Sequence, residues 1–177
     1  MKWFIKCLKQ YADFEGRARR KEYWWFILIN FIISMILLIG WMVPFFKMAF
    51  VAASTGSEDF NPMEVLSTMM KNPFMYLYLV YYLAVLIPSI AVMVRRLHDT
   101  GKSGLWVFLL VGGSILGSFA SLFQTISYGL YVVLALVCIA TTILGLVWLF
   151  TDSQYGPNQY GPNPKGEGNN ETPVETE

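Results

Sequence analysis

The stretch LYVVLALVCIATTILGLVWLF, residues 130–150, contains no charged side chain and no histidine over 21 consecutive positions. An α-helix rises about 1.5 Å per residue, so a helix of this length measures about 30 Å, the thickness of the hydrocarbon core of a bilayer. Strands of membrane barrels alternate apolar and polar residues over about ten positions, and this stretch does not alternate. It therefore predicts a transmembrane helix.

Three further stretches lack charged residues and histidine in the same way: residues 23–43, 74–94 and 105–123. The chain has 177 residues, of which 55% are hydrophobic, and its mean hydropathy is +0.48. Such values favour a membrane protein over a soluble domain. We expect an all-α membrane protein with four transmembrane helices in a bundle over residues 23–150, and an outer loop at 44–73 between the first two helices.

Basic residues are distributed unequally between the two sides of this bundle. Eleven of the 13 Lys and Arg lie in the N-terminal segment 1–22, in the connection between the second and third spans, or in the tail 151–177. The other two, Lys47 and Lys71, lie in the outer loop. Because positive charge collects on the cytoplasmic side, both termini are predicted to be cytoplasmic. Residues 1–20 contain no cleavable signal, so we expect the first span to direct insertion.

The overall charge and the two cysteines exclude several classes of protein. The net charge is +1, far below that of a nucleic-acid-binding domain, so no nucleic-acid partner is expected. Cys7 lies near the N-terminus and Cys138 lies inside the fourth span, so the two cannot form a disulfide. Neither cysteine belongs to a group of metal-ligating residues. No metal site and no cofactor are predicted.

The segments outside the spans have recognisable local patterns. Residues 1–14 place aromatic side chains at helical spacing opposite lysines, which predicts a basic amphipathic helix on the inner leaflet, with a protein-binding helix as the alternative. Asn61-Pro62-Met63-Glu64 is typical of a helix start and predicts a short helix on the outer surface. The pentapeptide QYGPN occurs twice, at 154–158 and 159–163, and predicts turns. The acidic, polar residues from Lys165 onward are predicted to be disordered.

The connection RRLHDTGKSG, residues 95–104, contains the only histidine of the chain. It ends in the GKS of a phosphate-binding loop, but that pattern needs a glycine where Arg96 stands, which excludes a nucleotide fold. Ser103, His98 and Asp99 suggest a catalytic triad, yet neighbouring residues on a helix do not face each other. We expect a short cytoplasmic connection in which Ser103 caps the third span, and we predict no catalytic residue.

The cytoplasmic face carries the candidate binding residues. Charged side chains there could pair with carboxylates such as Glu22 and Asp152, or bind an anionic lipid headgroup or a protein partner of unknown identity. The candidates are Arg17, Arg20, Lys21, Arg95, Arg96, His98, Asp99 and Lys102.

Small residues recur every four positions on the third span, at Gly113, Gly117 and Ser121. Such a stripe lets another helix approach closely. The partner is either the fourth span of the same chain or the same helix of a second copy in a homo-oligomer, and the sequence leaves both alternatives open.

Three cytoplasmic segments resemble those of a known family. They are Phe14-x-Gly16-Arg17-x-x-Arg20-Lys21-Glu22-Tyr23-Trp24, Arg95-Arg96-Leu97-His98-Asp99-Thr100-Gly101-x-Ser103-Gly104-x-Trp106 and Gly156-x-Asn158-x-Tyr160-Gly161-x-Asn163-Pro164. In order and spacing the chain resembles the domain-of-unknown-function 805 family of small bacterial inner-membrane proteins, over most of residues 3–164. It differs in its longer outer loop, its duplicated QYGPN and the asparagine at 163, where an aspartate is common. The resemblance implies a multi-pass inner-membrane protein and supplies no catalytic residue.

These observations favour a non-enzymatic membrane protein whose cytoplasmic charges bind anionic lipid or a partner protein. A small oligomeric transporter or channel is the alternative, although ionisable side chains, which commonly mark ion pathways, are absent from the four predicted spans. A third hypothesis is a membrane-surface enzyme that uses His98, Asp99 and an arginine on a phosphorylated lipid.

Overall fold

The computed structural model describes residues 2–55, 61–123 and 127–170, except for the side chains at positions 114, 116–118 and 120–123. These residues form six helices: α1 (Lys2–Lys9), α2 (Arg20–Thr55), α3 (Pro62–Lys71), α4 (Pro73–Asp99), α5 (Trp106–Phe123) and α6 (Tyr128–Phe150). In the described part of the chain the only β pairing is an isolated bridge between Asn158 and Gly161. The all-α prediction is confirmed.

Three of these helices, α2, α4 and α6, are long and apolar enough to cross a membrane. They coincide with the first, second and fourth predicted spans. The third predicted span coincides with α5, which has 18 residues, several of them with side chains outside the described set. The chain is thus a multi-pass membrane protein, and the count of four spans stays a prediction.

The helix α2 continues beyond the span predicted over residues 23–43, through Pro44 to Thr55. A proline removes one backbone hydrogen bond and can bend a helix without ending it, and the residues that follow are mostly apolar helix formers. The predicted loop at 44–73 is therefore helical at both of its ends. Its second helix, α3, begins as predicted, since the Asn61 side chain accepts a hydrogen bond from the Met63 amide at 3.0 Å.

The helix α4 continues beyond the span predicted over residues 74–94 and extends to Asp99. The residues Arg95–Asp99 form its last turns, and the connection to α5 starts at Thr100. Cationic side chains are favourable at a helix C-terminus, and the charges of this turn find partners inside the protein. Gly101, with φ of +73°, turns the chain in the left-handed conformation that glycine adopts without strain.

The chain divides into two compact units, residues Phe26–Ile87 and the remainder. In the unit Phe26–Ile87, the Tyr81 hydroxyl donates to Asn30 Oδ1 at 2.6 Å, and Trp41 Nε1 donates to the Met69 carbonyl at 3.2 Å. Gly40 lies under the Phe74 ring, so close that an added Cβ would be 2.5 Å from it. These contacts join α2 to α3 and to the first half of α4.

The second unit contains α1, α5, α6, the tail, the N-terminal end of α2 and the C-terminal part of α4. Its helices α5 and α6 pack together. Gly113 lies against Thr141, where an added Cβ would be 2.4 Å from the hydroxyl, and Gly145 lies against Leu110. The surroundings of Gly117 and Ser121 fall outside the described side chains. The stripe therefore contacts the same chain at Gly113, and its role in a homo-oligomer stays a prediction.

The tail forms successive turns from Ser153 to Asn170. The disorder predicted from Lys165 onward is wrong as far as Asn170. The Asn163 amide donates to Asn169 Oδ1 at 2.7 Å, Asn169 Nδ2 donates back to the Asn163 carbonyl at 3.0 Å, and the Gly156 amide donates to the Glu167 carbonyl at 3.2 Å. Polar side chains thus supply the order that apolar burial does not. Residues 171–177 lie outside the described residues.

Candidate functional site

A buried carboxylate stands at the end of α4. The Asp99 side chain is inaccessible to solvent and accepts from Arg17 Nε at 3.1 Å, from an Arg96 guanidinium nitrogen, and from the Ser153 hydroxyl at 2.6 Å. The side chains of Arg17 and Arg96 are 1% and 0% exposed. Removing a charge from water is costly, so a charged side chain is buried only when it is paired and hydrogen-bonded. These four residues are called the Asp99 cluster below.

Arg17 connects this cluster to the tail. Its guanidinium donates to the Gln154 carbonyl at 2.6 Å, to the Gly156 carbonyl at 2.8 Å and to the Gly161 carbonyl at 3.3 Å. The planar fork of an arginine offers five donors, which suits several acceptors at once. One side chain of the N-terminal segment therefore holds both QYGPN copies.

Arg96 connects the same carboxylate to two other segments. It donates to the carbonyls of Ala18 and Leu149, each at 3.3 Å, and to the carbonyl of Thr151. The Ala18 amide in turn donates to the Arg95 carbonyl at 3.0 Å. The start of α2, the end of α4 and the end of α6 are consequently joined around one ion pair.

A second buried carboxylate, Glu22, anchors α1. It accepts from Lys6 Nζ at 2.7 Å and lies 3.8 Å from an Arg95 guanidinium nitrogen and from Cys7 Sγ. Burial, together with the nearby Glu22 carboxylate, raises the pKa of the Cys7 thiol to about 12, so the thiol stays protonated and unreactive at neutral pH. The predicted helix over 1–14 is formed only from Lys2 to Lys9, and its position on a membrane surface stays a prediction.

His98 lies apart from Asp99, although the two are adjacent in sequence. Its ring stacks on Tyr160, with the centroids 3.7 Å apart and the planes 2° from parallel, and its Nδ1 is 3.3 Å from the Gly16 carbonyl oxygen. The Ser103 hydroxyl accepts from the Leu105 amide at 3.3 Å, as expected for a residue that caps the next helix. The three side chains of the suggested triad are therefore bonded to different partners.

The candidate residues differ in burial. Arg17, Arg96 and Asp99 are buried and bind one another or backbone groups, and Arg95 is buried and contacts the side chains of Gln10 and Glu22. Of the remaining cations, Arg20 is exposed and pairs with Asp152 at 3.2 Å, and Lys102 is half-buried, with its Nζ 5.3 Å from the centroid of the Trp148 ring. The third, Lys21, is exposed and has no ion-pair partner among the described residues.

Sequence reasoning missed the tail as a component of the site. The acceptors that surround Arg17 are backbone carbonyls, and carbonyls leave no mark on residue type. The tandem QYGPN pair was the available signal, since a repeated turn sequence presents its carbonyls twice. Within the described part of the chain, no group of three or more His, Cys, Asp or Glu could hold a metal ion.

The apolar helices and the polar contacts at their ends define a small helical, multi-pass membrane protein. The chain belongs to the family described as protein of unknown function (DUF805), whose model matches residues 11–162. Among its relatives is the inner membrane protein YhaI of Escherichia coli, 36% identical over 109 residues, which are 62% of this chain and 70% of YhaI. The inner membrane protein YhaH of the same organism is 36% identical over 116 residues, 63% and 74% of the two chains. No solved structure matches the chain.

Proposed function

We propose that this protein is a non-enzymatic inner-membrane protein with four spans and two cytoplasmic termini, which binds anionic lipid through its exposed cations. In this proposal the Asp99 cluster is a clamp that fixes the N-terminal segment and the tail against the ends of α2, α4 and α6. The observation that carries the proposal is the division of the candidate residues. The buried guanidinium groups of Arg17 and Arg96 already have protein acceptors, which leaves exposed cations such as Lys21 for lipid.

The positions of the helix ends support four spans. The start of α2 and the ends of α4 and α6 meet at the Asp99 cluster, because Arg96 bonds to Ala18 and Leu149 and Arg20 donates to the Phe150 carbonyl at 3.1 Å. A helix α6 that crosses the bilayer and ends there must begin on the other side. Since α5 begins only seven residues after Asp99, α5 has to cross as well.

The engagement of the triad side chains supports a non-enzymatic role. A catalytic base must reach the proton that it removes, whereas Asp99 is saturated by two arginines and a serine. The inner-membrane location follows from the relatives YhaI and YhaH, and the cytoplasmic termini follow from the distribution of Lys and Arg.

Native mass spectrometry of the full chain in detergent with added phosphatidylglycerol tests the lipid proposal. The test variant replaces Lys2, Lys9 and Lys21, all exposed, with glutamine. Each cation contributes about 1 kcal/mol at an anionic surface, so we expect lipid retention to fall at least about fivefold. Lys47→Gln with Lys71→Gln, on the other predicted side, is the control and should retain lipid like the parent chain.

Two results would contradict the proposal. Equal retention of phosphatidylglycerol by the parent chain and the triple variant would exclude these lysines as the lipid contacts. For the topology, a reporter that works only in the periplasm can be fused to the C-terminus. Activity of that fusion would contradict two cytoplasmic termini.

A further inference from the structure

A polar cavity of about 430 Å³ lies beside the Asp99 cluster. Its lining includes Arg95 from α4, the side chains of Gln10, Asp13 and Glu15 from the segment after α1, and Tyr160 from the second QYGPN copy. Its volume is within the range of about 300–1,000 Å³ that is typical of small-molecule sites.

Two cations, Arg17 and Arg95, line this cavity. Arg95 uses only part of its hydrogen-bonding capacity. Its side chain is 2% exposed, and Nη1 contacts Gln10 and Glu22. Among the described residues, Nε and Nη2 have no hydrogen-bond partner. These two nitrogens form one edge of the guanidinium, which presents two parallel N–H bonds and matches a carboxylate or a phosphate. A buried donor without an acceptor is costly, so an anionic group from a ligand would satisfy this edge.

Two carboxylates make a purely anionic ligand a poor fit. Asp13 accepts from Gln10 Nε2 and from the Glu15 amide, each at 3.1 Å. The Glu15 side chain is exposed and forms no ion pair within the described ranges. The two carboxylates repel a second anionic group and attract a cationic one. A ligand with an anion at Arg95 should therefore also carry a cation near Glu15. The chemistry is that of a zwitterion.

An apolar cavity of about 440 Å³ adjoins the polar one. It lies between the last turns of α4 and the start of α5, with Val94, Phe108 and Val111 in its lining. Tyr160 lines both cavities, and the consecutive residues 14–16 contribute to both, with Phe14 on the apolar side. A polar and an apolar cavity that share a wall fit a ligand with a headgroup and a hydrocarbon chain.

We propose that the two cavities together bind an ethanolamine phospholipid, with its phosphate on Arg95, its ammonium group near Glu15 and an acyl chain in the apolar cavity. This site is separate from the exposed lysines of the proposed function. It selects a zwitterionic headgroup, whereas those lysines attract any anionic lipid. The stacked pair of His98 and Tyr160 stands at the junction, where it separates the polar part of the ligand from the apolar part.

The test is native mass spectrometry of the full chain after incubation with equal amounts of phosphatidylethanolamine and phosphatidylglycerol. The parent chain should retain phosphatidylethanolamine in preference. Glu15→Lys reverses an exposed charge, so the protein should fold normally while its retention of phosphatidylethanolamine falls about tenfold, the value of one charged hydrogen bond. Glu64→Lys, an exposed charge reversal at a residue that lines neither cavity, should have no effect.

A second pair of variants tests the apolar cavity. Val111→Trp fills it and should lower the retention of phosphatidylethanolamine. The control is Val133→Trp, which places the same side chain on an exposed position of α6 outside both cavities and should leave the retention unchanged. Arg95→Gln should abolish retention. If that variant does not fold, the Glu15 and Val111 variants decide the question.

Several results would overturn the inference. One is equal retention of the two lipids, and another is unchanged retention in Glu15→Lys. Binding of soluble phosphoethanolamine as strong as that of the lipid, with no effect of Val111→Trp, would identify a free headgroup compound as the ligand. The variant that lacks Lys2, Lys9 and Lys21 should lose phosphatidylglycerol and keep phosphatidylethanolamine, so the two proposals can fail independently.

Discussion

The two QYGPN copies have identical sequences and different structural roles. The first, Gln154–Asn158, binds mainly through its backbone, because the Gln154 amide donates to the Asp99 carbonyl at 2.9 Å and the Gln154 carbonyl accepts from Arg17. The second, Gln159–Asn163, binds mainly through its side chains. Its tyrosine stacks on His98, and Asn163 is 2% exposed and donates to the Gln154 carbonyl at 3.1 Å.

The copies share one contact, and it explains why both are needed. Gly156 and Gly161 each have a positive φ, +68° and +123°, and each presents its carbonyl to Nη1 of Arg17. Each glycine therefore turns its copy in a conformation with positive φ, and the buried arginine binds the carbonyl of each. The tyrosines differ because Tyr160 meets His98, whereas Tyr155 is 63% exposed. Identical pentapeptides thus acquire different burial from the neighbours that each one meets.

The largest effect should come from Arg17→Met, which releases both copies at once. The variant removes the donor to three tail carbonyls and one of the cations on the buried Asp99. Breaking a buried ion pair costs about 3–5 kcal/mol, so we expect the free energy of unfolding in detergent to fall by that amount. Chymotrypsin should then cut at both tyrosines. Arg19→Met, at a half-buried neighbour, is the control, and cleavage at only one of the two tyrosines would contradict a shared role.

A smaller effect should distinguish the two copies at their last residue. In Asn163→Ala, the Gln154 carbonyl keeps only Arg17 as its donor and the part-buried Lys165 amide loses the acceptor that Asn163 Oδ1 provides at 2.8 Å. We expect a loss of about 2 kcal/mol, because buried groups left unsatisfied cost about 1–3 kcal/mol. Asn158 donates to the His98 carbonyl at 2.9 Å but is half-exposed, so water can replace it and Asn158→Ala should cost about 1 kcal/mol or less. Thermal unfolding measures both variants. Equal losses of stability in Asn163→Ala and Asn158→Ala would show that the two copies do not differ in the burial of their last residue.

The parts of the fold that sequence could predict depend on neighbouring residues. The apolar run 130–150 needs no distant information to predict a membrane helix, and the Asn61 cap is formed with an amide only two residues away. The end of α4 could be predicted less well. Asp99 is expected in the connection between two spans, but it is helical and buried, because its partner Arg17 lies 82 residues away in the chain.

The disorder predicted from Lys165 onward fails as far as Asn170 for the same reason. The composition of the tail is typical of disorder, because it has few apolar residues to bury. Its order comes from carbonyls that accept from Arg17, 137–144 residues distant in sequence, and from asparagines that bond to nearby backbone. The structure brings several of the candidate residues together, among them Arg17, Arg96 and Asp99, and their position on the cytoplasmic side stays a prediction. Which of them are buried depends on the tail, and the sign of that packing in the sequence is the tandem QYGPN pair.

The smallest effect is expected at an ion pair that lies just outside the two copies. Asp152 precedes the first copy and Lys165 follows the second, with Lys165 Nζ 2.7 Å from Asp152 Oδ1. The Asp152 side chain is 51% exposed, so Asp152→Asn should cost about 1 kcal/mol or less, with less effect at high salt.

Protonation of the same carboxylate provides a pH test of the pair. The hydrogen bond from Lys165, followed by that from the Ser153 amide, holds the pKa of Asp152 below its ordinary value. A lowered pKa means that the contribution to stability is complete above the ordinary value and is lost as the pH falls through the lowered one. The difference in thermal stability between the parent chain and Asp152→Asn should therefore disappear in acid, while the tyrosines of both copies keep their protection from chymotrypsin. If instead the first copy becomes cleavable in Asp152→Asn at neutral pH, the ion pair, rather than Arg17 alone, holds that copy, and the two copies differ in what fixes their backbones.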